Sequence, residues 1–277
     1  MSLIIDIHAL HTLPPSLINR DDTGAPKSAV YGGVPRQRVS SQSWKRAIRK
    51  YFETHVDAES VGDRSKRIPQ KIALKVEDHE GWDAERARAA VADLFKSAGI
   101  TTEVDSKKLK ALEESEETTK EELEAAKYPQ TKYLLFLSPH QIDRAAEAIV
   151  EADGEKIKKK EAQRILDSEH SVDMALFGRM VADDAAFNID ASVQVAHALG
   201  IHASAPEFDY FTAVDDLAEE GEETGAGMIG TVQMMSSTLY RYATVNVDGL
   251  KTNLGSAETA RQAAGQFIEA FIASMPT

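Results

Sequence analysis

Two long runs of strict alternation constrain this chain most. Ile189, Ala191, Val193, Val195, His197, Leu199 and Ile201 recur at every second position, and so do Leu239, Arg241, Ala243, Val245 and Val247. In the second run Tyr240, Tyr242, Thr244 and Asn246 fill the intervening positions. Successive side chains of a strand point to opposite faces, so a period of two marks strands with one buried face. An acidic, glycine-containing stretch from residue 206 to 230 separates the runs, and together they read as a β-hairpin-like arm. At the N-terminus Ile5, Ile7 and Ala9 alternate with Asp6 and His8, which predicts a strand over residues 3–10. Val172–Phe177 reads as another short strand. The segment carrying Pro14, Pro15, Gly24, Pro26, Gly32, Gly33 and Pro35 reads as a long loop, a type of connection that is usually functional or disordered.

Helical signals fill the rest. Ser40-Ser41-Gln42-Ser43 supplies an N-cap for a helix whose apolar face is Trp44, Ala47, Ile48, Tyr51 and Phe52. Residues 59–170 read as a charge-rich helical insertion. Within it Ala84, Ala87, Val91, Leu94, Phe95 and Ala98 mark one amphipathic helix, and Ile142, Ala145, Ala146, Ile149 and Val150 mark another started by Ser138-Pro139. Tyr133 to Leu137 reads as a buried strand, and the acidic run from Glu113 to Ala126 as a solvated helix or mobile arm. Ser256 to Ser274 closes the chain as an amphipathic helix. Without the insertion and the arm the skeleton is strand, helix, strands, helix. The fold class is α+β, and this order is most of a ferredoxin-like βαββαβ unit, the scaffold of RNA-recognition modules. Its final strand is unaccounted for, because the sequence stops at Met275-Pro276-Thr277.

Composition matters here mainly through the placement of charge. The net charge is −13, which taken globally argues against nucleic acid. Yet no acid occurs between Asp22 and Glu53, a window that holds Lys27, Arg36, Arg38, Lys45, Arg46, Arg49 and Lys50. A solvated helix laced with salt bridges would interleave glutamates at i, i+4 spacing, and none stands among residues 23–52. A local cationic groove is therefore compatible with the acidic total. Ser40, Ser41, Gln42 and Ser43 add neutral donors at a helix N-terminus, where the dipole favours phosphate. There is no cysteine, which excludes disulfides and thiolate metal sites and suits a reducing cytoplasm. The N-terminus lacks the basic region of a signal peptide, and no apolar run is long enough to span a membrane.

Other motifs carry little chemistry. Gly225-Ala-Gly227-Met-Ile-Gly230 matches a dinucleotide fingerprint by letter but lacks a strand before it and a helix after it. His8 and His11, or His197 and His202, would point to opposite faces of strands and make poor metal pairs. Asp21 and Asp22 could hold a divalent metal for phosphodiester cleavage, or could order their loop by pairing with its arginines. The second reading is favoured, since further ligands are missing. Tyr210, Phe211 and Thr212 lie in the acidic arm. The rings could pack within the arm or wedge against bases.

Several segments together resemble the backbone subunit of the type I-E CRISPR Cascade complex, the CasC family. They are Leu17-Ile-Asn-Arg20-Asp21-Asp22, Gly32-Gly33, Arg36-Gln-Arg38-Val-Ser40-Ser41-Gln42-Ser43, Lys45-Arg46-Ala47, Asp173-Met-Ala-Leu, Gly178-Arg179-Met180, Phe211-Thr-Ala-Val-Asp215-Asp216-Leu217 and Tyr240-Arg241-Tyr242-Ala243. The resemblance implies an RRM-like palm over residues 1–58, 171–192 and 231–277. It places helical fingers over residues 59–170 and a β-hairpin thumb over residues 193–230. It implies a non-catalytic, cytoplasmic RNA-binding protein without cofactor or metal. Copies would line up along a CRISPR RNA with other Cascade subunits and present it to target DNA. Arg20, Lys27, Ser40, Gln42, Lys45, Arg46 and Arg49 correspond to the guide backbone, Arg36 and Arg38 of the basic window join them as candidate RNA-binding residues, and Met180, Tyr210, Phe211 and Thr212 correspond to a displaced nucleotide. Val34-Pro35 departs from the basic residues of the family at that point, and the chain ends before the family's last palm segment. The competing implication is a metal-dependent RNA endonuclease that uses loop aspartates, as related backbone subunits of type III systems do.

Overall fold

The computed structural model describes residues 3–115, 117–214 and 225–276, with side chains except at 213, 214 and 225–229. In chain order the first elements are β1 (Ile4–Ser16), β2 (Ser28–Tyr31), β3 (Val34–Val39) and α1 (Ser41–His55). Next come β4 (Asp63–Ser65), α2 (Ile68–Glu77), α3 (Ala84–Ala98), β5 (Thr102–Glu103), α4 (Ser106–Glu113), α5 (Lys120–Ala126), β6 (Gln130–Thr131) and β7 (Leu135–Leu137). They are followed by α6 (Pro139–Ala152), α7 (Lys159–Leu166), α8 (Val172–Phe177), β8 (Val193–Val195), β9 (Ala198–Gly200), β10 (Glu207–Val214), β11 (Gly225–Asn246), α9 (Val247–Leu254) and α10 (Ala257–Ala273). Among the described residues no helix is long and apolar enough to cross a membrane.

By its contacts the chain divides into a helical unit (Met1–Leu3, Phe52–Ser192, Asn246–Ala264) and a sheet unit (Ile4–Tyr51, Val193–Val245, Gly265–Thr277). The helical unit is organised by the stripes visible in the sequence. Ile68, Ile72 and Val76 of α2 join Val91, Leu94 and Phe95 of α3, Ile142 and Ile149 of α6, and Ile165 and Leu166 of α7 in one buried cluster. Each such side chain contributes roughly 1.5–3 kcal/mol of burial. The Ser138-Pro139 start is a capping box, with Ser138 and Gln141 each bonding the other's backbone N–H. The acidic run from Glu113 to Ala126 ends α4 and then forms α5, which is started by a second capping box between Thr119 and Glu122.

Val172–Phe177, expected as a strand, is the helix α8. A six-residue apolar run carries too little periodicity to separate the two. Tertiary bonds decide it. The buried Asp173 carboxylate accepts the Gly62 N–H at 2.9 Å, and the Gly178 N–H closes the last turn on the Met174 carbonyl at 2.8 Å.

The sheet unit is built on the order β1-β11-β9-β3-β2, with β8 and β10 also paired to β11. The alternation at 189–201 was expected to be one strand, and it is two. Val195 pairs with Ala243 and Leu199 with Tyr240, so one extra residue sits on the β8–β9 side. That is a β-bulge, and it explains why Val195 and Ala198, three apart, are both buried. The loop expected after residue 10 is largely strand. β1 runs on through Pro14 and Pro15, which is tolerated because β1 is an edge strand. β2 and β3 form a tight hairpin around Gly32 (φ 64°) and Gly33 (φ 78°), with Tyr31 opposite Val34. Two consecutive positive φ angles make a type I′ turn, which glycine adopts without strain.

The inward face of this sheet carries α1 and the end of α10. Its centre is Arg241, which is 2% exposed. The guanidinium lies 3.5 Å from the centroid of Trp44 and 4.3 Å from that of Phe271, and donates to the Phe271 carbonyl. Burial lowers its pKa to about 10. Two aromatic faces take the place of a carboxylate there.

Candidate nucleic-acid interface

The acid-free window folds into a joint where the end of β1, the β2–β3 hairpin and the N-terminus of α1 meet. Asn19 ties it together. Its carbonyl oxygens accept the Lys27 N–H and, from the side chain, the Ser40 N–H, each at 2.9 Å. Arg20 forms an isolated bridge with Pro26, and the Arg38 N–H bonds the Lys27 carbonyl at 2.9 Å. Ser40 starts the helix as expected, and its side chain accepts the Ser43 N–H. The structure therefore brings Arg20, Lys27, Arg38 and Ser40 around one asparagine. Gln42, Lys45, Arg46 and Arg49 follow along α1, on the sides that Trp44, Ala47 and Ile48 do not bury.

Among the described residues no carboxylate lies within ion-pair distance of Arg20, Lys27, Lys45 or Arg46. Arg36 is more engaged. Its Nε donates to the Tyr31 carbonyl and its Nη1 to the Gly200 carbonyl, both at 2.9 Å. Arg38 Nε donates to the Ser28 carbonyl at 3.2 Å. Fixed backbone and unpaired cations are what a phosphate chain requires.

Asp21 orders this loop, though not by pairing with arginines. Its carboxylate accepts the Thr23 hydroxyl at 2.7 Å, the Thr23 N–H at 2.9 Å and the Ala25 N–H at 3.1 Å. These donors, the Thr23 hydroxyl foremost, hold its pKa below the ordinary carboxylate value. His8 points outward and His11 inward, where burial and the Arg241 charge lower its pKa.

The arm is a two-stranded ribbon of β10 and the first part of β11, and its glycine motif is strand throughout the described residues. Phe211 stands opposite Gly230, and its ring occupies the space that a Cβ there would fill. That is the within-arm packing the sequence left open. Tyr210 points the other way and is 64% exposed, as is Phe208 at 74%, which the sequence reading missed. The spacing of two between Phe208 and Tyr210 was the available signal. Thr212 ends the regular register, because a shift follows it. The acidic run Glu219 to Glu223 lies outside the described residues.

Met180 belongs to the helical unit and is 80% exposed. Its neighbours fix it. Arg179 is buried, donates to the Phe187 carbonyl at 2.9 Å and the Leu166 carbonyl at 3.2 Å, and pairs with Asp167. The Val181 N–H donates to the Asn188 side chain at 2.8 Å. At Gly178 (φ 78°) a Cβ would stand 2.7 Å from the Ile189 carbonyl. An exposed methionine on so rigid a backbone is presented rather than left over.

An α+β protein with a cationic joint at one helix start and an aromatic ribbon is the class so defined. Residues 5–277 match the family described as CT1975-like protein, and the chain belongs to that family. It is similar to a chain of a solved structure described as "CRISPR RNA-guided surveillance complex, pre-nicking". The identity is 36% and the TM-score 0.78, over 99% of this chain and 73% of that one. A chain of a second structure, "CRISPR RNA-guided surveillance complex", is 32% identical with a TM-score of 0.69 over the same shares. No curated protein matches the chain.

Proposed function

We propose that this protein is a non-catalytic backbone subunit of a type I-E Cascade surveillance complex. In this reading it holds CRISPR RNA by its phosphates, lines up with further copies of itself, and leaves the bases to pair with target DNA, so that sequence is read by base pairing. The observation that carries the reading is the Asn19-centred joint, where cations without carboxylate partners among the described residues surround a helix start. The descriptions of both similar structures, each an RNA-guided complex, support it. The sheet order supports an RRM-like palm. β1, β11 and the β8–β9 strand are neighbours in the order of three of the four strands of a ferredoxin-like unit, with α1 and α10 on one face. Fingers would then be residues 59–170, and the thumb would be the β10–β11 ribbon within residues 193–230.

Tyr210, Phe211 and Thr212 of the sheet unit are assigned to a displaced nucleotide, and so, separately, is Met180 of the helical unit. The part of Phe211 is to stiffen the ribbon by covering Gly230, and that of Tyr210 is to wedge. Asp21, held by Thr23 and backbone amides, is assigned a loop-ordering role rather than a catalytic one. Two measurements test the reading. Purified protein should carry RNA of defined length. Labelled RNA incubated with magnesium or manganese should stay intact, whereas regular cuts that vanish in Asp21→Ala or Asp22→Ala would make the protein a nuclease.

A further inference from the structure

The outward face of the sheet is accounted for by neither the joint nor the arm. Cross-strand pairing puts Arg38, Leu199 and Tyr240 in one row on that face. His8 extends the row, with its Nδ1 2.7 Å from the Tyr240 hydroxyl and its ring 4.9 Å from that of Tyr242. Tyr242 donates to Asp6 at 3.0 Å, and Arg36 lies 5.7 Å from the ring of Tyr31 on the same side. Tyr240 is 40% exposed, and His8 is exposed.

Rings on a solvated sheet face are expected to be covered or used, since apolar surface gains by burial. Here hydrogen bonds hold them in fixed orientations, which lowers the entropy cost of docking a partner. The charge of the face selects the partner. Acids outnumber bases 45 to 32 in the chain. Yet Asp6 is the one carboxylate among the described outward positions of β1, β2, β3, β9 and residues 238–246, and it is bonded to Tyr242. Arg36 and Arg38 each keep guanidinium donors beyond those bonded to carbonyls. The row is also continuous with the joint, because Arg38 bonds Lys27 through the backbone.

We propose that this face is a base-stacking platform for single-stranded nucleic acid. Tyr240, Tyr242 and His8 offer the rings, and Arg36 and Arg38 hold the adjoining phosphates. Sequence-tolerant stacking on sheet aromatics is a general mode of single-strand binding. The inference rests on the reading of the chain as an RNA-holding subunit and adds a second site to it.

The test compares the affinity of the full chain for a short oligouridine and for an abasic oligoribose phosphate of equal length. Wild type should prefer the oligouridine. Tyr240→Leu with Tyr242→Leu should lose about tenfold or more on oligouridine and leave abasic binding unchanged, while Tyr240→Phe, which keeps the ring and gives up the bond to His8, should keep the preference for oligouridine with a smaller loss. Equal wild-type affinities, or a double variant that keeps the preference, would overturn the platform. So would variants that alter only self-association, which would make the face a protein surface. Wild type that binds neither oligomer would overturn both this inference and the reading beneath it. Should the double variant fail to fold, photocrosslinking of wild type to a thiouridine oligomer decides. Adducts on Tyr240, Tyr242 or His8 are expected, and adducts confined to other residues would refute the platform.

Discussion

The joint and the arm both offer side chains to solvent, but they are held in opposite ways. The joint is anchored into the core. Asn19 bonds its two loops, and α1 is pinned by Trp44 against Arg241, which also lies over Phe271. The arm is held by cross-strand pairing, with Phe211 over Gly230 as its own local cover. The contrast follows from the ligand each would meet. Phosphates in series need cations at fixed positions, and desolvating those cations is tolerable only if no carboxylate competes for them. A wedge needs one rigid ring and little else, so a ribbon suffices.

Core anchoring predicts the largest difference. Trp44→Ala should cost about 3–5 kcal/mol of stability, the usual range for an aromatic removed from a core. Tyr210→Ala should stay within about 0.5 kcal/mol, as exposed substitutions do. Chemical denaturation of both variants checks this, and similar losses would erase the contrast. Next in size, Asn19→Ala should cost about 1–2 kcal/mol by leaving the Ser40 N–H without its side-chain acceptor, while the backbone bond to Lys27 remains. It should also weaken RNA binding more than its effect on stability explains. Gly230→Ala forces the Phe211 ring aside and should cost about 1 kcal/mol or less, in keeping with a local adjustment. Hydrogen exchange should quicken in β10 and stay unchanged at the joint.

The smallest effect is on pH. The folded-state pKa of His11 lies below its ordinary value, chiefly through burial and then through Arg241. The unfolded chain therefore binds more protons in that range. Stability should fall as pH drops below the ordinary histidine value of about 6.5, and this contribution should be flat above it. His11→Gln should remove that part of the acid-side slope, and an unchanged slope would relieve His11 of the role.

The α+β class, the helix starts at Ser40 and Ser138, and the cationic window were legible because each rests on local chemistry or strict period. What was missed depends on neighbours. Pro14 and Pro15 read as loop residues, and only the edge position of β1 admits them to a strand. Gly32-Gly33 between two extended dipeptides was a hairpin signal in plain view, overlooked among the other prolines and glycines of that stretch. The bulge between β8 and β9 is invisible in an alternation that runs on regardless, because register is set by the partner strand. Of the candidate site, the cations and serines were readable. Asn19, which gathers them, was not, since a side-chain bond to an amide twenty-one residues away leaves no pattern.

The salt dependence of RNA binding tests the central claim most directly. Lys27 and Lys45 sit at the joint without a carboxylate partner among the described residues, so each should release a counterion when RNA binds. On single strands the slope of log K against log salt should lose about 0.7 for each phosphate contact removed. Lys27→Ala with Lys45→Ala should therefore flatten the slope by about 1.4, twice that increment, and weaken binding to all sequences alike. An unchanged slope, or a loss confined to particular sequences, would contradict a phosphate grip at this joint.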